Sequence, residues 1–187
     1  MLYISKGIVN PGSTEQLLNI AHSNNDFLLT GMKAELWLRG RFSFTSAQNN
    51  AEVAALSNLE NMGLIETESE EGATAEYRIL SRCVCCPAKV KSVNVAFSRL
   101  EKNILTWLRK AGLRLTVAEL IMLTEKRIKP IEDLLYETNR QALVECIYTS
   151  GNIFDNILEN QMEHAACRDA VVKALLHLLK RKMIIIL

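Results

Sequence analysis

The chain has 187 residues, of which 49% are apolar and 23% are charged, as expected for a globular protein of one large domain or two small ones. Its net charge is +1, so the chain lacks the large excess of basic residues that is typical of an obvious nucleic-acid-binding protein. The N-terminus lacks the pattern of a secretory signal, and the longest apolar run, Met183–Leu187, is too short to cross a bilayer. We therefore expect a cytoplasmic protein that does not bind membranes.

The first half is predicted to begin with two helices. A turn at residues 10–13 precedes a short helix that ends at His22, because small hydroxyl residues can cap its start. Polar residues at 23–26 interrupt this helix, and a second one is expected from about Met32 to Leu38.

A third helix and a two-stranded ribbon follow. The helix is predicted to begin at residues 49–50 and to end before Gly63, since its apolar residues recur at near-helical spacing. Leu64–Thr67 is typical of a strand. Gly72 can adopt the positive φ of a turn, and Ala75–Cys83 is predicted as the returning strand.

This segment resembles the winged-helix superfamily at the point where the third helix runs into the wing. The resemblance covers about residues 13–86. It is carried by an Ala-Leu-x-x-Leu-x-x-x-Gly-Leu-Ile pattern, which here consists of Ala55, Leu56, Leu59, Gly63, Leu64 and Ile65. It implies a mainly α fold with small β wings. It also implies binding to duplex DNA, because winged-helix proteins place the third helix in the major groove.

The second half begins after a polar linker that extends from Pro87 to about residue 95, and it is strongly helical. Gly112 is expected to end its first helix, and Thr116 to cap the next one. Trp37 and Trp107 each fall in an apolar helical pattern, so both are predicted to lie in the core. We predict helices at about 97–111, 116–126, 131–147, 153–163 and 168–182, followed by a strand at 183–187.

Two short echoes indicate an internal repeat. At an offset of 119 residues, the residues Ala55-Leu56, Leu59 and Leu64-Ile65 correspond to Ala174-Leu175, Leu178 and Met183-Ile184. AELWL at 34–38 echoes AELIM at 118–122 at a smaller offset, so the second copy would contain about 35 extra residues. The predicted architecture is therefore two tandem winged-helix-like units, with domains at 1–88 and 89–187 and with extra helices in the second.

The apolar strand Met183–Leu187 has no returning wing strand after it in the sequence. Because an exposed apolar edge strand promotes aggregation, this strand is expected to pair with another strand of the chain or with a second protomer. We favour the contact between protomers, and hence a homodimer.

Charge distinguishes the two halves as candidates for DNA binding. Residues 1–90 carry seven Lys and Arg against ten Asp and Glu, whereas residues 91–187 carry fifteen against eleven. Carboxylates on the predicted first wing would repel phosphates, so DNA contact is assigned to the second half. The candidate residues lie on the last helix and in one loop: Lys173, His177, Lys180, Arg181, Lys126, Arg127 and Lys129. The alternative is that they form a solvated face and interact favourably with the helix dipole.

The five cysteines, three of them within four residues, raise a metal hypothesis. Cys83 and Cys85 would share one face of a strand, and His164 and Cys167 one face of a helix, so that these four side chains could form a zinc site. The alternative is that the cysteines are reduced and buried. Zinc is thus the one cofactor considered, and the expectation is that the protein has none.

No motif of a known catalytic or nucleotide-binding loop is present in the sequence, so no catalytic residues are predicted. The leading hypothesis is a dimeric, non-enzymatic DNA-binding regulator of transcription. The alternative is a non-enzymatic adaptor or assembly subunit that binds another protein through winged-helix surfaces, an interpretation that the acidic wing favours.

Overall fold

The computed structural model describes residues 1–14, 16–89, 96–110, 112–131, 140–148 and 156–187. The chain divides into two compact units. Unit 1 comprises Met1–Cys83 and Ile185–Leu187, and unit 2 comprises Val84–Ile184. The sequence placed the domain boundary slightly later, at residue 88.

Unit 1 combines short antiparallel strands with helices. Its strands are β1 (Leu2–Ser5), β2 (Ile8–Val9), β3 (Leu17–His22), β4 (Asn25–Thr30), β5 (Thr45–Ser46) and β6 (Ile65–Glu68). Its helices are α1 (Gly31–Gly40), α2 (Asn50–Asn61) and α3 (Ala73–Ser81). Strand β1 lies between β5 and β6 in one sheet, and β3 lies between β2 and β4 in another.

Unit 2 contains the other elements. Its strands are β7 (Val84–Pro87), β8 (Leu115–Thr116) and the start of β9 (Ile184–Ile186), and β7 is the middle strand of their sheet. The described helices are α4 (Arg99–Arg109), α5 (Val117–Glu125), α6 (Arg140–Ile147), α7 (Ile157–Met162) and α8 (Arg168–Lys180). The predicted helices at 131–147 and 153–163 also include residues 132–139 and 153–155, which lie outside the described residues.

The predicted fold class is wrong. The described residues are 47% helical and 20% strand and form three small antiparallel sheets, so the fold is mixed α and β rather than mainly α with small wings. Two segments were assigned to the wrong type of element, one strand predicted as a helix and one helix predicted as a strand, because the apolar spacing in each is short.

The first corrected segment is the predicted helix that ends at His22. It forms strand β3, which pairs with β4 over six residues on each strand. Ser23 and Asn24 both have positive φ, 50° and 64°, as a two-residue hairpin turn requires. The alternating residues Leu18 and Ile20 are buried, so a period of two, and not a helical period, determines this segment.

The second corrected segment is the return strand of the predicted ribbon. Residues Ala73–Ser81 form helix α3 instead, and Gly72 with φ 112° precedes it. The buried residues of α3 are Ala75, Tyr77, Ile79 and Leu80. Ala75 and Ile79 are four residues apart and Tyr77 and Leu80 are three apart, which fits one face of a helix. The alternation of Tyr77 and Ile79 fits a strand equally well. Strand β6 pairs with β1 at the N-terminus, so the ribbon that carried the winged-helix resemblance does not form.

Several local predictions are confirmed. Asn49 caps α2, because its side chain accepts a hydrogen bond from the Glu52 N–H at 2.9 Å. Gly63 follows α2 with φ 72°, as expected for a helix C-terminal stop. Thr116 caps α5 in a full capping box with Glu119. Trp37 and Trp107 are both buried in their units.

The three-stranded sheets that contain β1 and β7 share one strand order, and the β1–β5 and β7–β8 pairs share one register. The paired residues are Leu2 with Ser46 and Tyr3 with Thr45 in unit 1, and Val84 with Thr116 and Cys85 with Leu115 in unit 2. This register matches residue 45 with residue 115, and the same offset of 70 places Trp37-Leu38-Arg39 on Trp107-Leu108-Arg109. Helix α1 therefore corresponds to α4, and the echo that matched residues 34–38 with α5 is wrong.

The helices that lead into β6 and β9 end in the same way. At the end of α2, the N–H groups of residues 62, 63 and 64 donate to the carbonyls of residues 58, 60 and 59. At the end of α8, residues 181, 182 and 183 donate to residues 177, 179 and 178. Every number differs by 119, and Lys182 shares the positive φ of Gly63. The echo at offset 119 thus corresponds to a repeated hydrogen-bond pattern.

The C-terminal apolar strand pairs within its own chain. Strand β9 adjoins β7, and the Gly7 N–H donates to the Ile186 carbonyl at 2.9 Å. This is the first of the two alternatives that the sequence offered. The homodimer was inferred from a free edge at this strand, and that reason for it no longer holds.

Candidate functional site

The outward face of the β2–β3–β4 sheet carries three large apolar side chains that are exposed to solvent. The register places Ile8 opposite Ala21 and Asn19 opposite Leu28, and alternate residues of β3 share one face. Ile8, Leu17 and Leu28 therefore lie on the same face, with exposed fractions of 43%, 50% and 62%. We call these three residues the apolar sheet face.

The opposite face of the same sheet is part of the core of unit 1. Leu18, Ile20 and Leu29 are buried there in one cluster with Trp37 and Leu56. A shift of register by one residue would exchange the two faces, so burial of one face fixes which side chains the other one presents. The exposure of the apolar sheet face is thus a consequence of the packing beneath it.

The outer edge of β4 borders this face. β4 pairs with β3 along Asn25–Thr30, and among the described residues no strand pairs with its other side. The outward backbone N–H and C=O groups of a strand in this position can pair with an extended chain. An open edge beside an apolar surface offers both backbone hydrogen bonds and side-chain contacts.

Buried hydrogen bonds hold α1, which begins where β4 ends. The Tyr3 hydroxyl donates to the Leu36 carbonyl at 2.9 Å, and the Ser5 hydroxyl donates to the Trp37 carbonyl at 2.7 Å. The Trp37 indole N–H in turn donates to the Lys6 carbonyl at 3.0 Å. The two hydroxyls satisfy carbonyls near the C-terminus of α1, where a helix has few intrahelical donors left. These bonds fix α1 against β1 and so fix the end of β4.

The acidic residues of β6 are partly neutralised by cations of unit 1. Glu66 lies 2.6 Å from the Lys6 ammonium and 3.0 Å from the Arg82 guanidinium. Arg82 also contacts Glu68 at 3.0 Å. The sequence treated these carboxylates as an uncompensated acidic wing, because it did not show that Lys6 and Arg82 lie beside β6.

His22, at the end of β3, has a buried ring nitrogen, Nδ1, without a hydrogen-bond partner. Burial lowers the pKa of His22, and the Lys6 ammonium lowers it further, whereas the Glu66 carboxylate acts in the opposite direction. The neutral imidazole is therefore the favoured form.

The predicted DNA-contact residues of α8 lie on an exposed helix face in unit 2. Lys173, His177 and Lys180 are all exposed, and we call them the basic helix face. Lys173 and Lys180 make no ion pair or hydrogen bond with the described residues. His177 Nδ1 lies 3.6 Å from a Glu101 carboxylate oxygen. The Arg181 guanidinium carbon lies 5.5 Å from the centroid of the Phe97 ring, so this side chain packs on an aromatic ring of its own chain.

The three basic side chains of the predicted loop after α5 have different neighbours. The Lys126 ammonium donates to the Cys146 carbonyl at 2.9 Å. Arg127 and Lys129 instead line a cavity beside α4 together with Arg99, which the sequence had not indicated as a functional residue. In the sequence, the only indication of a functional role for Arg99 was its positive charge near the start of a predicted helix.

Of the four candidate zinc ligands, Cys83 lies just before β7 and Cys85 within it. His164 and Cys167 lie between α7 and α8 rather than on one helix. Within the described ranges, no group of three or more His, Cys, Asp and Glu side chains could hold a metal ion. Burial raises the pKa of the Cys83 thiol to about 12. The pKa of the Cys167 thiol is also raised to about 12, mainly by burial and in addition by the Glu125 carboxylate.

Comparisons with protein-family models, with curated proteins and with solved structures gave no match for this chain. In the part of the chain that the structure describes, none of the helices is long and apolar enough to cross a membrane.

Proposed function

We propose that this chain is a non-enzymatic adaptor that binds an extended segment of another protein on the apolar sheet face and along the edge of β4. The observation that carries the proposal is the exposure of Leu17 and Leu28 on a sheet whose other face is closed core. A single exposed leucine is ordinary, but a group of them on one rigid face is typical of an interaction surface.

The open edge of β4 favours an extended partner over a helical one. An added strand gains main-chain hydrogen bonds along the edge, and its alternate side chains project on the same side of the sheet as the apolar sheet face. A helix would leave the outward N–H and C=O groups of β4 unpaired by protein. The proposal therefore commits to a peptide of at least the length of β4, with apolar residues at alternate positions.

The exposure of the two leucines sets the size of the expected contact. Complete burial of a leucine side chain is worth about 1.5–3 kcal/mol. Leu28 is 62% exposed and Leu17 is 50% exposed, so covering both would contribute about 1.7–3.4 kcal/mol. Loss of both contacts should weaken a peptide complex by roughly 20- to 300-fold.

Selection from a random peptide library provides the test. Peptides selected on the wild-type protein are synthesised, and their Kd values are measured by fluorescence anisotropy. We expect the double variant Leu17→Thr and Leu28→Thr to weaken binding by the factor given above, because threonine retains the strand propensity but loses most of the apolar contact. Val144→Thr is the matched control, since Val144 is 51% exposed in unit 2.

A second comparison tests the role of the edge. Peptides with N-methyl groups on alternate residues cannot donate backbone hydrogen bonds at those positions, and one of the two N-methylation registers should abolish binding. Equal affinity of all selected peptides for the wild type and the double variant would contradict the proposal. Concentration-dependent dimerisation that depends on Leu28 would instead identify a second copy of the chain as the partner.

DNA binding by unit 2 is the second candidate, and the exposed, unpaired Lys173 and Lys180 favour it. Anisotropy with a random duplex at low salt should then show binding that weakens steeply as salt rises. The charge reversals Lys173→Glu and Lys180→Glu should abolish this signal without a change in Tm. The matched reversals Lys102→Glu and Lys110→Glu concern two exposed lysines, one in the first turn of α4 and one directly after its last residue, and should leave most of the signal.

A further inference from the structure

Unit 2 contains a cavity of about 260 Å³ between α4, α5 and the loop that follows α5. Its polar wall carries three cations, Arg99, Arg127 and Lys129, and none of the described residues that line it is an acid. The side chains of the three cations form no ion pair or hydrogen bond with other described residues. Like charges that converge without a counterion repel one another, so such a site gains when an anion occupies it.

The other walls of the cavity are apolar. Trp107 and Leu120 are among the lining residues, and both belong to the core of unit 2. The side-chain amide of Asn103 also lines the cavity and makes no hydrogen bond with the described residues, so it can donate to a ligand. An apolar floor with a few convergent polar groups is the usual composition of a small-molecule site.

The backbone at Arg127 supports the view that this wall has a defined geometry. Arg127 has φ 55°, a left-handed conformation that is uncommon for residues other than glycine, asparagine and aspartate. Its N–H donates to the Thr124 carbonyl at 3.0 Å, and the next N–H, that of Ile128, donates to the Leu123 carbonyl at 2.9 Å. The loop thus leaves α5 in a hydrogen-bonded turn that directs residues 127–129 to the cavity.

We propose that this cavity binds a small organic anion, that is, a phosphate or carboxylate group attached to one aromatic ring or a short apolar body. The cations would hold the anionic group, and the apolar floor would contact the ring. The volume of about 260 Å³ suits one ring with an anionic group, and the apolar floor distinguishes the site from one for inorganic phosphate alone. This site is independent of the apolar sheet face of unit 1.

Isothermal titration calorimetry with phenyl phosphate tests the proposal. Phenol lacks the anionic group and inorganic phosphate lacks the ring, so both should bind at least tenfold more weakly than phenyl phosphate. The indole N–H signal of Trp107 in an NMR spectrum should shift with phenyl phosphate, whereas that of Trp37 should not. Affinity should also fall as salt is added, because the contacts are charged and partly exposed.

Variants identify the residues that bind the probe. Arg99→Gln and Arg127→Asn should each weaken phenyl phosphate binding by about fivefold. Asparagine is chosen at position 127 because it tolerates the left-handed backbone. Lys180→Gln, which removes an exposed cation from α8, is the matched control and should have no effect. Asn103→Phe should abolish binding by filling the cavity without changing its charge.

Three results would overturn the proposal. The first is that phenyl phosphate binds no more tightly than phenol or phosphate. The second is that Arg99→Gln and Arg127→Asn behave like the Lys180→Gln control. The third is displacement of phenyl phosphate by an equimolar duplex oligonucleotide, which would assign these cations to a polyanion surface.

Discussion

Replacement of Gly40 by alanine should destabilise unit 1, although the same change usually stabilises a helix. A Cβ atom at this position would lie 2.6 Å from the Ser5 hydroxyl oxygen and 2.6 Å from the Tyr3 ring. Real Cβ atoms do not approach other atoms so closely, and the nearby groups must move. Both of these residues hold α1 through hydrogen bonds to its carbonyls, so they cannot move freely.

Three effects determine the size of the change. Overpacking of a closed core costs about 1–3 kcal/mol. Displacement of the Ser5 hydroxyl weakens one buried hydrogen bond, which adds about 1 kcal/mol. Alanine offsets at most about 1 kcal/mol through its higher helix propensity. The net loss is therefore about 2 kcal/mol, which corresponds to a fall in Tm of roughly 8–16 °C for a domain of this size.

Thermal unfolding followed by circular dichroism measures the effect for Gly40→Ala, and hydrogen exchange of peptides from α1 and β1 assigns it to unit 1. The Ser5→Ala background provides the control. Removal of the Ser5 hydroxyl relieves one of the two contacts, so Gly40→Ala should cost less in that background than in the wild type. An unchanged or higher Tm for Gly40→Ala would refute the close packing of α1 against β1.

Three further predictions concern single positions. Gly63→Ala should lower the free energy of unfolding by about 1 kcal/mol, because the residue at this position has positive φ. Lys182→Gly should raise it by up to about 1 kcal/mol for the same reason. A stabilising Gly63→Ala or a destabilising Lys182→Gly in thermal unfolding would contradict the repeated helix ending. His22 has a pKa below its unfolded value of 6.5, so the unfolded chain binds its proton first and the stability of unit 1 should fall as the pH falls below about 6.5. His22→Gln should flatten this dependence in urea titrations between pH 5 and pH 8, and an unchanged slope would show that His22 is not responsible. Thr116→Ala should cost about 1 kcal/mol through loss of the α5 cap, as measured by hydrogen exchange of α5.

The local signals that proved reliable in the sequence were those with a single structural interpretation. Residues 49–50 indicated the start of α2 and Thr116 the start of α5. In the structure, the side chains of Asn49 and Thr116 accept hydrogen bonds from the N–H groups of Glu52 and Glu119. Each pair closes its hydrogen bonds within one turn, so no distant residue is needed to form it. Gly63 ended α2 for a similarly local reason, its positive φ.

The apolar spacing of short segments was ambiguous. Ala75, Tyr77 and Ile79 fit both a strand and a helix, and the structure forms a helix because β6 already pairs with β1. That pairing joins residues about 60 positions apart in the chain, so no local sequence pattern predicts it. The same limitation concealed the correspondence of Trp37 with Trp107, which became evident only from the matching strand registers.

The candidate sites depended even more on tertiary structure. The sequence indicated Arg127 and Lys129 as basic residues, but their association with Arg99 requires the loop after α5 to fold against α4. The apolar sheet face was not predicted at all, since residues 13–22 were assigned to a helix. Once β3 is a strand, its period of two divides Leu17 from Leu18 and exposes one of them.

The sequence by itself determined the helix caps, the glycine stop after α2 and the presence of a repeated helix ending before β6 and β9, because these features depend on contacts within a few residues. Only the tertiary structure decided which strands pair, which faces are buried and which cations share a cavity. Strand pairing and burial join residues that are far apart in the chain, and their free energy depends on surfaces that exist only after the chain has folded.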